Sequence, residues 1–279
     1  MTFASSDGPH GRLPLMAEPV VLVERSERVV TVTLNRPAAR NAINRALARA
    51  LWDAIAACGQ DPNVDVVVLT GADPDFCAGV DLKELSGEKA AASDVQPTPG
   101  RGPDGLYRFI PVIDKPIIGA INGLAITGGF ELALQCSMLV ASERARFADT
   151  HARVGIMPGG GITVQLAEAI GIRRALELSL TGNFLNAEEA LVAGLVNHVV
   201  SHQELLPFAQ RLAADIVSND QMGVRRLLRH YRDVANAASW PEAQLLEGLM
   251  AETWRPPTDL VARRQRVMTR GRTQRTRAD

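Results

Sequence analysis

The spacing of apolar residues changes along the chain, and each change marks a new element. "VVLVE" (20–24) and "VVTVTLN" (29–35) are β-branched runs separated by the polar "RSER", which predicts two strands in a hairpin. "NRPAAR" stops the second strand. Ile43, Leu47, Leu51 and Ile55 then recur every four residues and give one apolar helix face, with Asn44 as its N-cap. "VDVVVLTG" (64–71) and "KPIIGAING" (115–123) show no polar alternation, the pattern of strands covered on both faces in a parallel sheet. Each runs into a glycine-containing loop, and the second loop leads into a helix starting at "FELALQC". "SMLVAS" and "ARFAD" predict short strands, and "GIMPGGG" a sharp turn. Helices follow over 162–170 and 172–181, closed by Gly171 and Gly182. "NAEEALVAG" is a short helix with Asn186 as cap, Glu189 completing a capping box and Gly194 as terminator.

From about residue 203 every segment has helical spacing. The expected division is therefore a loose arm over 1–18, an α/β core over 19–200, and a helical region over 201–279. Residues 86–105, rich in Gly, Ser, Ala, Pro and Asp, are expected to form a mobile loop or lid.

Composition mainly excludes. A net charge of −1 gives no pull toward nucleic acid or an acidic membrane, and 4% aromatic content offers no stacking platform for single strands. The exception is residues 263–279, with seven arginines and one aspartate, which reads as a solvated terminus or subunit contact. Cys58, Cys77 and Cys136 form no CxxC pair, which argues against a zinc site or disulfide framework and for a reducing, cytoplasmic compartment. The N-terminus lacks the pattern of a secretory signal, and no apolar run approaches the roughly 18 residues of a membrane span. Neither GxGxxG after a strand nor GxxxxGK[ST] occurs, which excludes the common dinucleotide and phosphate fingerprints.

One residue resists this bland reading. Glu131 lies in the apolar stretch "NGLAITGGFELALQC", and a lone buried carboxylate costs several kcal/mol unless it is paired or holds its proton. It sits just beyond a glycine loop at a helix start, where main-chain N–H groups lack internal acceptors. Ligands gather at the carboxyl ends of strands in open α/β sheets, so "FCAGVDLKE" and "NGLAITGGFE" are expected to face one site. Two N–H groups converging on one oxygen make an oxyanion hole.

"LNRPAARNAIN", "FCAGVDLKEL", "AINGLAITGGFELALQC", "FADTHARVGIMPGGG" and "SLTGNFLNAEEALVAGLVNHVV", in this order from about residue 20 to 200, resemble the enoyl-CoA hydratase/isomerase (crotonase) family. The resemblance implies an α/β fold, a crotonase-like spiral of ββα repeats with a C-terminal helical trimerisation region, assembled as homotrimers or homohexamers. It implies acyl-CoA thioester substrates and no metal or redox cofactor, coenzyme A being part of the substrate. The family's oxyanion-hole N–H groups fall on Val80 and Gly128, and its coenzyme A contacts on Arg36, Ala78, Asp81, Leu82 and Lys83. One of the two hydratase carboxylates falls on Glu131. The second position holds His151, a departure from the pattern, with Asp149 and Thr150 beside it. An imidazole there suits proton transfer. Cys77 has no evident base and reads as a small packed side chain. The expected activity is hydration of a 2-enoyl-CoA. Double-bond isomerisation, thioester hydrolysis and acyl-CoA binding without turnover are the alternatives.

Overall fold

A computed structural model describes residues 18–85, 105–255, 259, 263–265 and 267–270. All but the last residue of the expected arm over 1–18, most of the expected lid over 86–105 and the last nine residues of the basic tail lie outside the described residues. The chain divides into two compact units, with the boundary after Arg225.

The first unit is built on a sheet of six strands, β1 (Val21–Ser26), β2 (Val29–Leu34), β3 (Val66–Gly71), β4 (Ile117–Ile121), β6 (Met138–Ser142) and β9 (His198–Val200), neighbours in that order. β1 and β2 form the predicted antiparallel hairpin, and every later pairing is parallel. Side chains alternate across a strand, so β3 feeds two cores. Val67 and Leu69 join α1 (Arg45–Gln60) through Leu47, Leu51 and Ile55, while Val66 and Val68 meet Leu205, Ala209 and Ala213 of α8 (Leu205–Val217). Cover on both faces explains the unbroken apolar run. The Asn44 side chain accepts from Leu47 N–H, as its position before the helix requires.

The run "KPIIGAING" continues differently from expectation. After β4 the chain turns at Asn122–Gly123, where a Cβ on Gly123 would run into the Pro74 carbonyl, and starts a three-residue strand, β5 (Leu124–Ile126). β5 leaves the large sheet and pairs in parallel with β7 (Arg146–Ala148), which pairs antiparallel with β8 (Leu185–Asn186). β5 leads into α3 (Gly128–Leu134), and β7 into a single turn, α4 (His151–Val154). α2 (Leu82–Leu85) follows the first glycine loop. α5 (Ile162–Ile170) and α6 (Ile172–Thr181) keep their predicted bounds, and α7 (Ala187–Ala193) carries both hydrogen bonds of the Asn186–Glu189 capping box. α9 (Gln221–Ala235) contains the unit boundary. Within the second unit, α10 (Trp240–Thr253) is joined to α9 by a hydrogen bond from Arg226 to the Thr253 hydroxyl.

Candidate active site

The glycine loops meet because the first one pairs with β5. Cys77 N–H donates to Leu124 O at 2.8 Å and Ile126 N–H to Cys77 O at 3.0 Å, a parallel bridge that carries residues 77–80 alongside 124–128. On its other side the loop is pinned to Ile43, whose N–H donates to Gly79 O and whose carbonyl accepts from Asp81 N–H. A Cβ built on Gly128 would lie 3.4 Å from Val80 N, so the two backbones adjoin. Neither Val80 N–H nor Gly128 N–H has an acceptor among the described residues, and both residues line a cavity of about 330 Å³.

Thr127, just before α3, adopts φ 51°, a left-handed conformation unusual for a β-branched residue. Its N–H donates to Ala148 O, and its hydroxyl lies 2.5 Å from the Thr150 hydroxyl and accepts from Thr150 N–H. These contacts hold the strained residue and tie the start of α3 to the loop before α4.

Glu131 sits in the first turn of α3 and is 3% exposed. Its Oε1 accepts from Gly160 N–H at 2.8 Å and, at 3.5 Å, from Ile162 N–H; Oε2 has no partner among the described residues. Burial raises its pKa, opposed by the charge of His151 and by the two N–H donors, with Asp149 adding to the rise. A buried carboxyl of raised pKa is suited to give and take a proton.

His151, the first residue of α4, also faces this cavity. Its Nδ1 lies 2.6 Å from Oδ1 of Asp149, a carboxylate 1% exposed. Burial would push the Asp149 carboxyl up, but hydrogen bonds from His151 and Ser179 outweigh it and hold the group below its ordinary range. Asp149 is therefore a buried anion aimed at the imidazole rather than at the cavity.

Of the predicted substrate contacts, Ala78 and Leu82 line the cavity. Arg36 and Asp81 stand outside its lining, joined to each other at 3.0 Å, with Arg36 also donating to Ala42 O. Lys83 is exposed beyond the rim. Cys77 is fully buried and its thiol is pushed up to about 12 by burial, which leaves almost no thiolate. Sequence reasoning missed Gly160, Thr127 and Gln135. Gln135 accepts from Phe109 N–H and Ile110 N–H and donates to Gly160 O, so it joins two walls of the cavity. Among the described residues, no group of three or more His, Cys, Asp or Glu side chains is placed to hold a metal ion, and no helix is long and apolar enough to cross a membrane.

This geometry, two free main-chain donors beside a buried acid, is matched by kinship. The family model described as enoyl-CoA hydratase/isomerase matches residues 24–253.

The chain belongs to the enoyl-CoA hydratase/isomerase family.

Among curated members of the family, the Arabidopsis thaliana protein named "Probable enoyl-CoA hydratase 1, peroxisomal" is 41% identical over 213 residues, 76% of this chain and 78% of its own. The 2,3-dehydroadipyl-CoA hydratase of Escherichia coli (strain K12) is 36% identical over 84% of this chain and 91% of its own. Among solved structures, an enoyl-CoA hydratase from Mycobacterium tuberculosis H37Rv is 48% identical, superimposes with a TM-score of 0.70, and is covered over 98% of its length by 82% of this chain. The fold is that of this crotonase family, and the chain is one of its enzymes.

Proposed function

We propose that this enzyme is an enoyl-CoA hydratase, adding water reversibly across the double bond of a 2-enoyl-CoA thioester. The thioester oxygen lies between Val80 N–H and Gly128 N–H. Charge moves onto that oxygen as the conjugated system reacts, so the two donors bind the enolate-like transition state more tightly than the substrate. Glu131, through the free Oε2, orients the water and takes its proton as the oxygen attacks C3. His151 shares in delivering the proton to C2. The observation that carries the reading is the meeting of two unpaired N–H groups and a buried acid of raised pKa on one cavity.

Coenzyme A is held along Ala78 and Leu82, with Arg36, Asp81 and Lys83 bordering the path of its phosphates. The chemistry uses neither a metal nor a redox cofactor. The enzyme assembles as a homotrimer or homohexamer through its C-terminal helices. Support comes from Leu227, Tyr231, Trp240, Leu245 and Leu249, large apolar side chains of α9 and α10 that are each more than half exposed in the single chain. Three free cysteines accord with a reducing, cytoplasmic compartment.

Isomerisation of the double bond has one observation in its favour: among the described residues Glu131 is the single carboxylate on the cavity wall. The test is turnover. Crotonyl-CoA and longer 2-enoyl-CoAs lose the absorbance of the conjugated thioester if hydrated, whereas a 3-enoyl-CoA gains it if isomerised. Release of free coenzyme A signals hydrolysis, and binding without turnover across the chain-length series overturns the enzymatic assignment to hydration. Sedimentation velocity measures the assembly.

A further inference from the structure

The place of the second acid–base group is held by an imidazole, and an imidazole has two nitrogens with different fates. Nδ1 of His151 is committed to Asp149 Oδ1 at 2.6 Å, and the same oxygen accepts the His151 main-chain N–H at 3.2 Å. Backbone and ring are thus fixed by one oxygen. Nε2 has no partner among the described residues, while the His151 side chain faces the cavity that Glu131 lines. Asp149 itself is not on the cavity wall. Its place is set by β7, which ends one residue earlier and is paired residue by residue with β5. The position of this carboxylate is therefore determined by the same small sheet that delivers Gly128.

We propose that Asp149 is a positioning residue whose carboxylate holds the Nδ1–H of His151, leaving Nε2 as the nitrogen that gives a proton to the substrate. The proposal rests on the hydratase reading. In the addition step Glu131 Oε2 takes a proton from water while the water oxygen bonds to C3. The π pair of C2=C3 moves toward C2 and the thioester oxygen, where Val80 and Gly128 hold the charge. Nε2–H of the imidazolium then gives its proton to C2. One water is consumed, no electrons are exchanged with a cofactor, and the site is left with a carboxylic acid on Glu131 and a neutral His151. Transfer of that proton from Glu131 to Nε2 restores the starting state. Through both states Nδ1 keeps its proton and its contact with Asp149. A buried anion behind the ring fixes which neutral tautomer the imidazole adopts. A pair of carboxylates facing one cavity would instead have to share a proton against their mutual repulsion, so the Asp149–His151 arrangement supplies a different partner for Glu131.

The test combines a spectrum that does not depend on turnover with steady-state kinetics. In full-length protein labelled with 15N-histidine, long-range proton–nitrogen correlations report which ring nitrogen carries the proton, with His151 assigned by its loss in His151→Gln. The expected wild-type result for the neutral ring is a proton on Nδ1; a proton on Nε2 overturns the proposal. Asp149→Asn keeps the size of the side chain, and its amide can donate to Nδ1 and reverse the tautomer. Its kcat for crotonyl-CoA hydration is expected to fall about 100-fold or more, with KM within about threefold. The double variant Asp149→Asn/His151→Ala is expected to be no slower than His151→Ala, because Asp149 acts through the ring. A kcat for Asp149→Asn within threefold of wild type, or losses that multiply in the double variant, overturns the proposal. If Asp149→Asn does not fold, the wild-type spectrum decides. If the wild-type protein hydrates no 2-enoyl-CoA, the hydratase reading fails, and the spectrum still reports whether Asp149 holds the ring.

Discussion

Gly160 N–H donates to Oε1 of Glu131 at 2.8 Å, and a Cβ added at Gly160 would lie 2.8 Å from the other oxygen of the same carboxylate. One residue thus holds the acid through its main chain and makes room for it by having no side chain. Gly160→Ala also brings the new methyl to 2.8 Å from the Phe109 ring. Both neighbours are side chains that can give way, so the variant should fold with a loss of about 1–2 kcal/mol. Its kcat should nonetheless fall about 100-fold, because Glu131 leaves its productive position. Activity equal to wild type would break the link between this glycine and the acid.

Gly129→Ala should give the opposite split. Its Cβ would run into the Cys77 carbonyl oxygen and lie 2.8 Å from the Cys77 carbonyl carbon, main chain that the bridge to β5 holds in place. A loss of about 3 kcal/mol or more is expected in urea denaturation.

Glu131→Gln removes the base and keeps the shape, including the acceptor for Gly160 N–H. Its kcat should fall by about 10³-fold or more. Stability should change with pH in a definite direction. The Glu131 pKa is raised in the folded state above its ordinary value of 4.5, chiefly by burial, so the folded protein binds this proton more tightly than the unfolded chain. The stability it contributes is fully present below the ordinary value and is lost as pH rises through the folded one. The difference in Tm between Glu131→Gln and wild type should therefore move in favour of the variant as pH rises from 4 to 8. A difference independent of pH would contradict the raised pKa.

Thr127 carries strain and a hydroxyl contact together. Thr127→Gly relieves the first and removes the second, so stability should stay within about 1 kcal/mol. The Gly128 N–H and the loop holding His151 are no longer clasped, and kcat should fall about tenfold. Adding Thr150→Ala should cost little further if the pair acts as a unit.

Arg36 and Lys83, neighbours of the expected coenzyme A path, should behave differently. Lys83 is exposed, so Lys83→Ala should raise KM for crotonyl-CoA a few-fold at low salt, less at high salt, and not at all for crotonyl-pantetheine. Arg36 already holds Asp81 and Ala42 O, and Arg36→Ala should lower stability as well as affinity.

The parts of this fold that could be read from sequence are those whose cause is local. Asn44 caps α1 and Asn186 caps α7 through bonds to residues three positions on, and β3 announces itself because both its faces are covered. β5 escaped because three residues between two glycine turns carry no period. Its existence depends on pairing with β7, some twenty residues away. The site divides in the same way. Glu131 was conspicuous as a charge among apolar neighbours. Gly160 supplies only an N–H, and Asp149 acts by pointing at a ring, so nothing in residue type distinguishes either from an ordinary turn.

Two adjacent strands, with Ile126 opposite Ala148, end side by side at the cavity. Main-chain pairing alone decides where their next residues emerge, whatever those residues carry. The scaffold therefore works like a socket with a fixed pitch: exchanging the group at position 151 can alter how protons reach the bound thioester while the grip on its oxygen stays where it was.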